Sequence, residues 1–296
     1  MKVLVTGKGG QLAWELEQTC PSQMELHSLG IEQLDITDRS AVFDCIGDIK
    51  PDVVINAAAY TAVDKAETDQ EAAYSVNADA SEYLAQACKA NSAKLMHIST
   101  DFVFDGQKTT PYLPSDIPHP LNVYGASKLA GEEHVAGILG SDATIIRTAW
   151  VYSANGNNFV KTMLRLMSER KQLGIVYDQV GTPTWAKGLA QMIWQLVVNA
   201  PIPEGNEASI LHWTDAGVAS WYDFAVAIQE LGVEKGLLAR PIELRPIAAS
   251  AYPTPAARPS FSVIDKTSAE TKSGLRTTHW RAQLSQMMDE LQTITK

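Results

Sequence analysis

Short apolar runs alternate with longer amphipathic stretches through the first half of the chain, and this rhythm restricts the fold more than any other feature. Residues 3–5, 24–29, 53–56, 95–99 and 144–147 read as strands, and the stretches near 10–19, 38–48, 69–91 and 124–138 read as helices. Strands that each wait for a helix before the next must lie parallel, so an α/β, doubly wound parallel sheet with helices on both faces is expected. Val53-Val-Ile-Asn56 and Leu95-Met-His-Ile98 show no polar alternation, as strands covered on both faces should not. Beyond Trp150 the rhythm loosens, and Pro-containing segments at 181–184, 200–203 and 251–259 separate short helices. The division expected is a first domain at 1–150 and a smaller α/β domain at 151–296. The two interleave, with the helix near 186–199 able to pack back onto the first.

Charge and cysteine usage narrow the functional classes. Thirty-four acidic residues against 24 basic ones give a net charge of −10, the wrong sign for a protein that neutralises a phosphate backbone, so no nucleic-acid partner is expected. Cys20, Cys45 and Cys88 are odd in number and form no C-x-x-C pair, which fits a reducing compartment rather than a disulfide framework or a zinc site. The chain opens directly on a strand with no signal-like segment, and no run reaches the ~20 apolar residues of a membrane helix. A cytoplasmic location with no membrane partner is expected.

Two motifs carry chemistry. Thr6-Gly7-Lys-Gly-Gly10-Gln-Leu-Ala13 follows the first strand and enters a helix directly. Gly7 suits a tight turn, Gly10 lets backbone N–H groups approach a pyrophosphate, and Ala13 lets helix and strand pack closely. Three small residues alone are a weak signal; their place between an N-terminal strand and a helix makes them a dinucleotide site. Tyr124-Gly-Ala-Ser-Lys128 puts a phenol and an ammonium one helical turn apart, and Ser99-Thr100-Asp101 lies at the carboxyl end of the fourth strand, where open α/β sheets bind ligands. A neighbouring Lys⁺ lowers a phenol from its free value of about 10 and makes Tyr124 a usable proton donor.

These segments, in this order, resemble the extended short-chain dehydrogenase/reductases, a Rossmann-like family. Within it they resemble the dTDP-4-dehydrorhamnose reductases through Asn56-Ala-Ala-Ala-Tyr-Thr-Ala-Val-Asp-Lys-Ala-Glu67, Ser99-Thr-Asp-Phe-Val-Phe-Asp-Gly106, Arg147-Thr-Ala-Trp-Val-Tyr152, Asp178-Gln-Val-Gly-Thr-Pro-Thr184 and Tyr252-Pro-Thr-Pro-Ala-Ala-Arg-Pro259. The resemblance implies an NADPH- or NADH-dependent oxidoreductase that reduces the C4 ketone of a dTDP-4-keto-6-deoxy sugar. Tyr124 would be the proton donor, Lys128 would orient the nicotinamide ribose, and Thr100 would bond the reacting oxygen. Cofactor contacts would fall to Gly7, Gly10, Gln11, Leu12, Asp35, Ile36, Ala59, Tyr60 and Thr61 beside Tyr124 and Lys128. Substrate contacts would fall to Thr100, Asp101, Trp150 and Arg258, the second domain being the substrate-binding one. A homodimer is compatible with this reading.

Four details qualify the resemblance. The second strand, read as ending at His27-Ser28, lacks the acid that grips an adenosine ribose and repels a 2′-phosphate, so NADPH is at least as well suited as NADH. Some relatives bind Mg²⁺ through clustered acids, but Glu15 has no ligand-spaced companion and Lys187 adds a positive charge, so no metal is assigned. Asp64, Lys65 and Glu67 read as a charged helix start. Phe102 stands where a 4,6-dehydratase carries a second acid, which favours reduction over dehydration. A sugar epimerase and a non-catalytic nucleotide-binding regulatory subunit are the competing readings.

Overall fold

The computed structural model describes residues 1–199 and 205–294; the Pro-containing stretch read at 200–203 lies outside the described residues. The strands are β1 (Lys2–Thr6), β2 (Glu25–Leu29), β3 (Val53–Asn56), β4 (Lys94–Thr100), β5 (Ala143–Thr148), β6 (Val151–Tyr152), β7 (Gln172–Val176), β8 (Val180–Gly181), β9 (Thr184–Trp185), β10 (Ser209–His212), β11 (Ala219–Ser220) and β12 (Glu243–Ile247). The helices are α1 (Gln11–Gln18), α2 (Arg39–Ile49), α3 (Val63–Ala66), α4 (Gln70–Tyr74), α5 (Ala80–Ala90), α6 (Val123–Leu139), α7 (Phe159–Glu169), α8 (Ala186–Asn199), α9 (Trp221–Glu234), α10 (Thr267–Ser273) and α11 (Trp280–Ile294).

Six strands form one parallel sheet in the order β10-β5-β4-β3-β1-β2. Order reverses between β1 and β3, so the loops leaving their carboxyl ends diverge and leave a crevice, the usual ligand position of such sheets. One apolar layer, with Val3, Val5, Leu12, Leu16, Ile55, Leu189 and Ile193, packs under α1 and α8; the other, with Leu4, Ile46, Val54, Leu84, Leu95 and Ile145, packs under α2 and α5. A third cluster, built on Tyr152, Phe224, Ile228, Leu284 and Met287, joins α7, α9 and α11. Past residue 150 the chain returns to the sheet three times, as α8, as edge strand β10 and through Ala269 of α10.

Two expectations need correction. The helix read over 69–91 is α4, a π-helical turn at Ser75–Asp79, and α5; the wide turn sets Asn77, 1% exposed, against α6. Strand β2 runs to Leu29, opposite Thr6, so His27-Ser28 is not its end. His27 faces Glu25 at 3.0 Å and the Ser28 hydroxyl is enclosed without a partner.

Helix α6 is fixed to the sheet by a buried ion pair. Arg147 of β5 and Glu132 approach to 2.6 Å at 2% and 4% side-chain exposure, and Ser99 of β4 donates to the same carboxylate. Removing one partner strands the other charge in the core. Arg147→Met should therefore cost about 3–5 kcal/mol in urea denaturation, and adding Glu132→Leu should return most of it. Additive losses in the double variant would show that the pair does not act as a unit.

Candidate active site

The crevice is lined by four strand ends. After β1, Gly7 turns at φ +80°, and a Cβ there would sit 2.7 Å from the Ala58 nitrogen, so only glycine lets this turn and the loop after β3 pass each other. Gly10 caps α1 in extended conformation with no side-chain bond, so the first-turn N–H groups, those of Gln11, Leu12 and Ala13, are uncapped by any side chain. Such a turn with free N–H groups fits a pyrophosphate. Gln11 also accepts from Asn158 Nδ2 at 2.9 Å, which ties α1 to the N-cap of α7.

Other residues expected at the cofactor divide into two sorts. Ala59, Tyr60 and Thr61 form the loop after β3, at the crevice, and Asn77 clamps it: the Tyr60 N–H donates to Asn77 Oδ1 at 2.9 Å, and Asn77 Nδ2 donates to the Tyr60 carbonyl at 3.1 Å and to Ser127 Oγ at 3.0 Å. Ile36 instead packs into the core with Leu34, and Asp35 is exposed and closes a turn onto Thr37. The backbone leaving β2 is Leu29-Gly30-Ile31. The Lys8 N–H donates to the Leu29 carbonyl at 3.0 Å, so an exposed lysine flanks this strand end, and the strand itself ends in no carboxylate, Glu32 following two residues after Gly30.

On α6, Tyr124, Lys128 and Glu132 follow one another at four-residue spacing and face the sheet. Asn122 caps the helix by accepting from the Gly125 N–H at 2.8 Å, and Glu67 accepts from the Val123 N–H at 2.9 Å. Burial pushes the Tyr124 phenol up to about 12, offset by the Thr100 hydroxyl and reinforced by Asp101. Burial also pushes Lys128 down to about 8, against the Glu132 charge. Thr100 Oγ1 accepts from the Phe102 N–H and donates to Asp101 Oδ1, both at 3.1 Å. Asp101 is 1% exposed, burial lifts it to about 6, and its Oδ2 has no partner.

The pocket beyond Tyr124 is aromatic. Trp150 adopts φ +48° and stacks on Trp221 at 3.5 Å, and Gly181 is required beneath it, since a Cβ there would meet the indole at 2.8 Å. Phe102, which packs edge-on against Tyr124, closes the same pocket with Gln179, Arg258, Pro259 and Ser262. Trp221, Gln179, Asn77 and His97 escaped the sequence reading because no local spacing marks them. Arg258 pairs with Asp64 through both nitrogens, at 2.9 and 2.7 Å. Asp64 thus latches the 256–258 segment and Glu67 caps α6; neither serves only its own short helix.

The residues do not fit a divalent cation. Glu15 is buried, accepts from Ser153 Oγ at 2.8 Å, and is lifted by burial to about 7, while Lys187 supplies the counter-charge to Glu290. An Mg²⁺ site needs ionised oxygen ligands, and among the described residues no group of three His, Cys, Asp or Glu is placed to hold a metal.

The chain matches the RmlD substrate binding domain family over residues 1–293. It is 41% identical over 285 residues to a dTDP-4-dehydrorhamnose reductase of Aggregatibacter actinomycetemcomitans, covering 96% of this chain and 97% of that one. A solved dTDP-4-dehydrorhamnose reductase of Clostridium acetobutylicum superposes with TM-score 0.91 at 38% identity, covering 99% of this chain and all of the other. One from Bacillus anthracis, in complex with NADP, superposes with TM-score 0.90 at 33% identity, covering 98% and 99%.

Gly7→Ala should abolish cofactor binding while leaving the sheet folded, since the added methyl meets backbone rather than a movable side chain. Fluorescence titration with NADPH tests this, and wild-type affinity would remove the turn from the cofactor site.

Proposed function

Since the chain belongs to the RmlD substrate binding domain family, we propose that it is an NAD(P)H-dependent reductase converting the C4 ketone of dTDP-4-dehydro-L-rhamnose to the alcohol of dTDP-L-rhamnose. The observation that carries the reading is the sheet-facing side of α6: a phenol and an ammonium one turn apart, with the Thr100 hydroxyl at the phenol, at the carboxyl ends of the same sheet as the Gly7 turn.

A reduced nicotinamide, when bound, supplies hydride to the carbonyl carbon. Tyr124 donates its proton to the oxygen. A phenol near 12 stays protonated at neutral pH, the form reduction needs, and the alkoxide developing on a sugar carbon is the stronger base. Lys128 lowers the cost of the phenolate left behind, and Thr100 orients the reacting oxygen. Asn77 keeps the Ala59–Thr61 loop and α6 in register, so cofactor and proton donor meet at fixed distance. Asp101 lies too deep to ionise freely and tunes Tyr124 rather than contacting solvent. Trp150, Trp221 and Arg258 would hold the sugar and the nucleotide end.

Tyr124→Phe keeps the ring but removes the proton, so kcat should fall by ~10² or more with NADPH affinity little changed. The assay follows NADPH absorbance with dTDP-4-dehydro-L-rhamnose and identifies the product sugar. Near-wild-type turnover would take Tyr124 out of the mechanism. In parallel, dTDP-glucose should give no 4-keto-6-deoxy product, because Phe102 supplies no second acid; detecting it by mass spectrometry would make the enzyme a dehydratase.

Cofactor choice is read where β2 really ends. Lys8 flanks Gly30 there and would favour a 2′-phosphate. Gly30→Asp should shift kcat/KM toward NADH by about tenfold or more, ~1–3 kcal/mol, by accepting ribose hydroxyl bonds and opposing the phosphate. An unchanged ratio would place discrimination elsewhere.

A further inference from the structure

Lys128 is enclosed, at 2% exposure, and its ammonium meets His97 Nε2 at 3.3 Å. On the other side of the ring, His97 Nδ1 lies 3.2 Å from Asn56 Nδ2, and Asn56 Oδ1 accepts from Thr6 Oγ1 at 2.7 Å. Sheet register builds this line: Thr6 stands opposite Asn56 on β1 and β3, and Asn56 opposite His97 on β3 and β4. A file of polar side chains therefore crosses three strands, from the residue before the Gly7 turn to the lysine beside Tyr124.

The chemistry of the file allows one protonation pattern while Lys128 is charged. An ammonium only donates, so Nε2 must present its lone pair, and a neutral imidazole then carries its single proton on Nδ1. That proton needs an acceptor, so the charged lysine requires the Asn56 amide to be turned end for end from its placement, with the carbonyl oxygen toward His97 and the NH₂ toward Thr6 Oγ1. We infer that His97 is a positioning residue for the reductase: a neutral Nδ1–H imidazole, oriented by Asn56 and Thr6, it holds the Lys128 ammonium through Nε2 without cancelling its charge. The inference rests on the role given to Lys128 above.

Neutrality matters here. A carboxylate at position 97 would pair with Lys128 and quench the field at the phenol, whereas an imidazole holds the nitrogen and leaves the field intact. Burial and the Lys128 charge both keep His97 uncharged, well below the usual histidine range. The remaining charges around the lysine are accounted for. Glu132, one turn along α6, is matched by Arg147 of β5; Asp101 faces Tyr124 from the turn after β4; Asn77 and Ser81, which face the 127–131 stretch, are uncharged. The charged group of α5 on this side, Glu82, lies by His134 farther along α6. Deleting the Nε2 acceptor removes a bond made to the charged form, so Lys128 would lose its proton at lower pH.

The test uses the full chain in two arms. Imidazole ¹⁵N spectra of histidine-labelled protein, with His97 assigned by its loss in His97→Gln, should show the Nδ1–H tautomer at about pH 6.5, and Lys128→Met should move the Nε2 resonance. An Nε2–H tautomer or a protonated ring would overturn the inference. In the second arm, His97→Leu should lower kcat about tenfold and move the alkaline limb of its pH profile down by about one unit, with sugar KM within about twofold. His97→Gln, whose amide oxygen can accept from Lys128, should restore the limb. A limb unmoved in folded His97→Leu would make the residue merely structural and sink the inference. If His97→Leu does not fold, the spectra and the Gln profile decide. If wild-type protein reduces no dTDP-4-keto sugar, the functional reading fails while the tautomer still decides the role of His97.

Discussion

The contact on which the site depends most is the buried pairing of Glu132 with Arg147, because it fixes the roll of α6. Tyr124, Lys128 and Glu132 lie four residues apart, so rotating the helix enough to free Glu132 would carry the phenol and the ammonium off the sheet as well. Desolvating two charges is expensive, and nothing suggests that the pair adds net stability over apolar packing. Its value lies in specificity. Only one roll of the helix satisfies both charges and the Ser99 hydroxyl, and that roll is the one that presents Tyr124 at the crevice.

Burial near this anchor also sets the protonation states. Lys128, His97 and Asp101 are closed off and Tyr124 is half-buried, and each shifts toward its neutral form: the amine and the imidazole downward, the phenol and the carboxyl upward. At neutral pH Lys128, near 8, and Asp101, near 6, still carry charge, while His97 and Tyr124 do not. A negative charge developing beside Tyr124 would meet Lys128 in a low-dielectric setting, where one positive charge counts for more than it would at the surface.

Much of this was legible in the sequence because the central strands are buried on both faces and so appear as runs without polar alternation, Val53–Asn56 being the clearest. The Gly7 turn and the Tyr124–Lys128 pair were legible because their geometry is local. Edge strand β2 is only half-buried along most of its length, which gives no sharp end, and its terminus was misplaced at Ser28. Strand β10 is four residues long and pairs with β5 across 65 positions, for which no local pattern exists. The uses of Asp64 and Glu67 were hidden for the same reason: their partners, Arg258 and Val123, lie 194 and 56 residues away. Asp35 and Ile36 came from resemblance alone, and the fold places Ile36 in the core.

Around the site, the sheet's loops meet residues 153–158 and 256–258 through polar contacts, although α8 and Ala269 share the apolar core under the sheet. Gln11 with Asn158, Glu15 with Ser153, Asn122 with the Ala257 carbonyl and Asp64 with Arg258 tie one to the other, while the clusters under the sheet and under α9 remain separate. Partly exposed hydrogen bonds and ion pairs are individually weak, whereas moving a close-packed core is not. The pocket bounded by Phe102, Trp150, Trp221 and Arg258 encloses only about 10 Å³, room for a single water at most. Opening that pocket therefore means parting contacts of this kind, the Asp64–Arg258 pair among them, and leaves both cores packed.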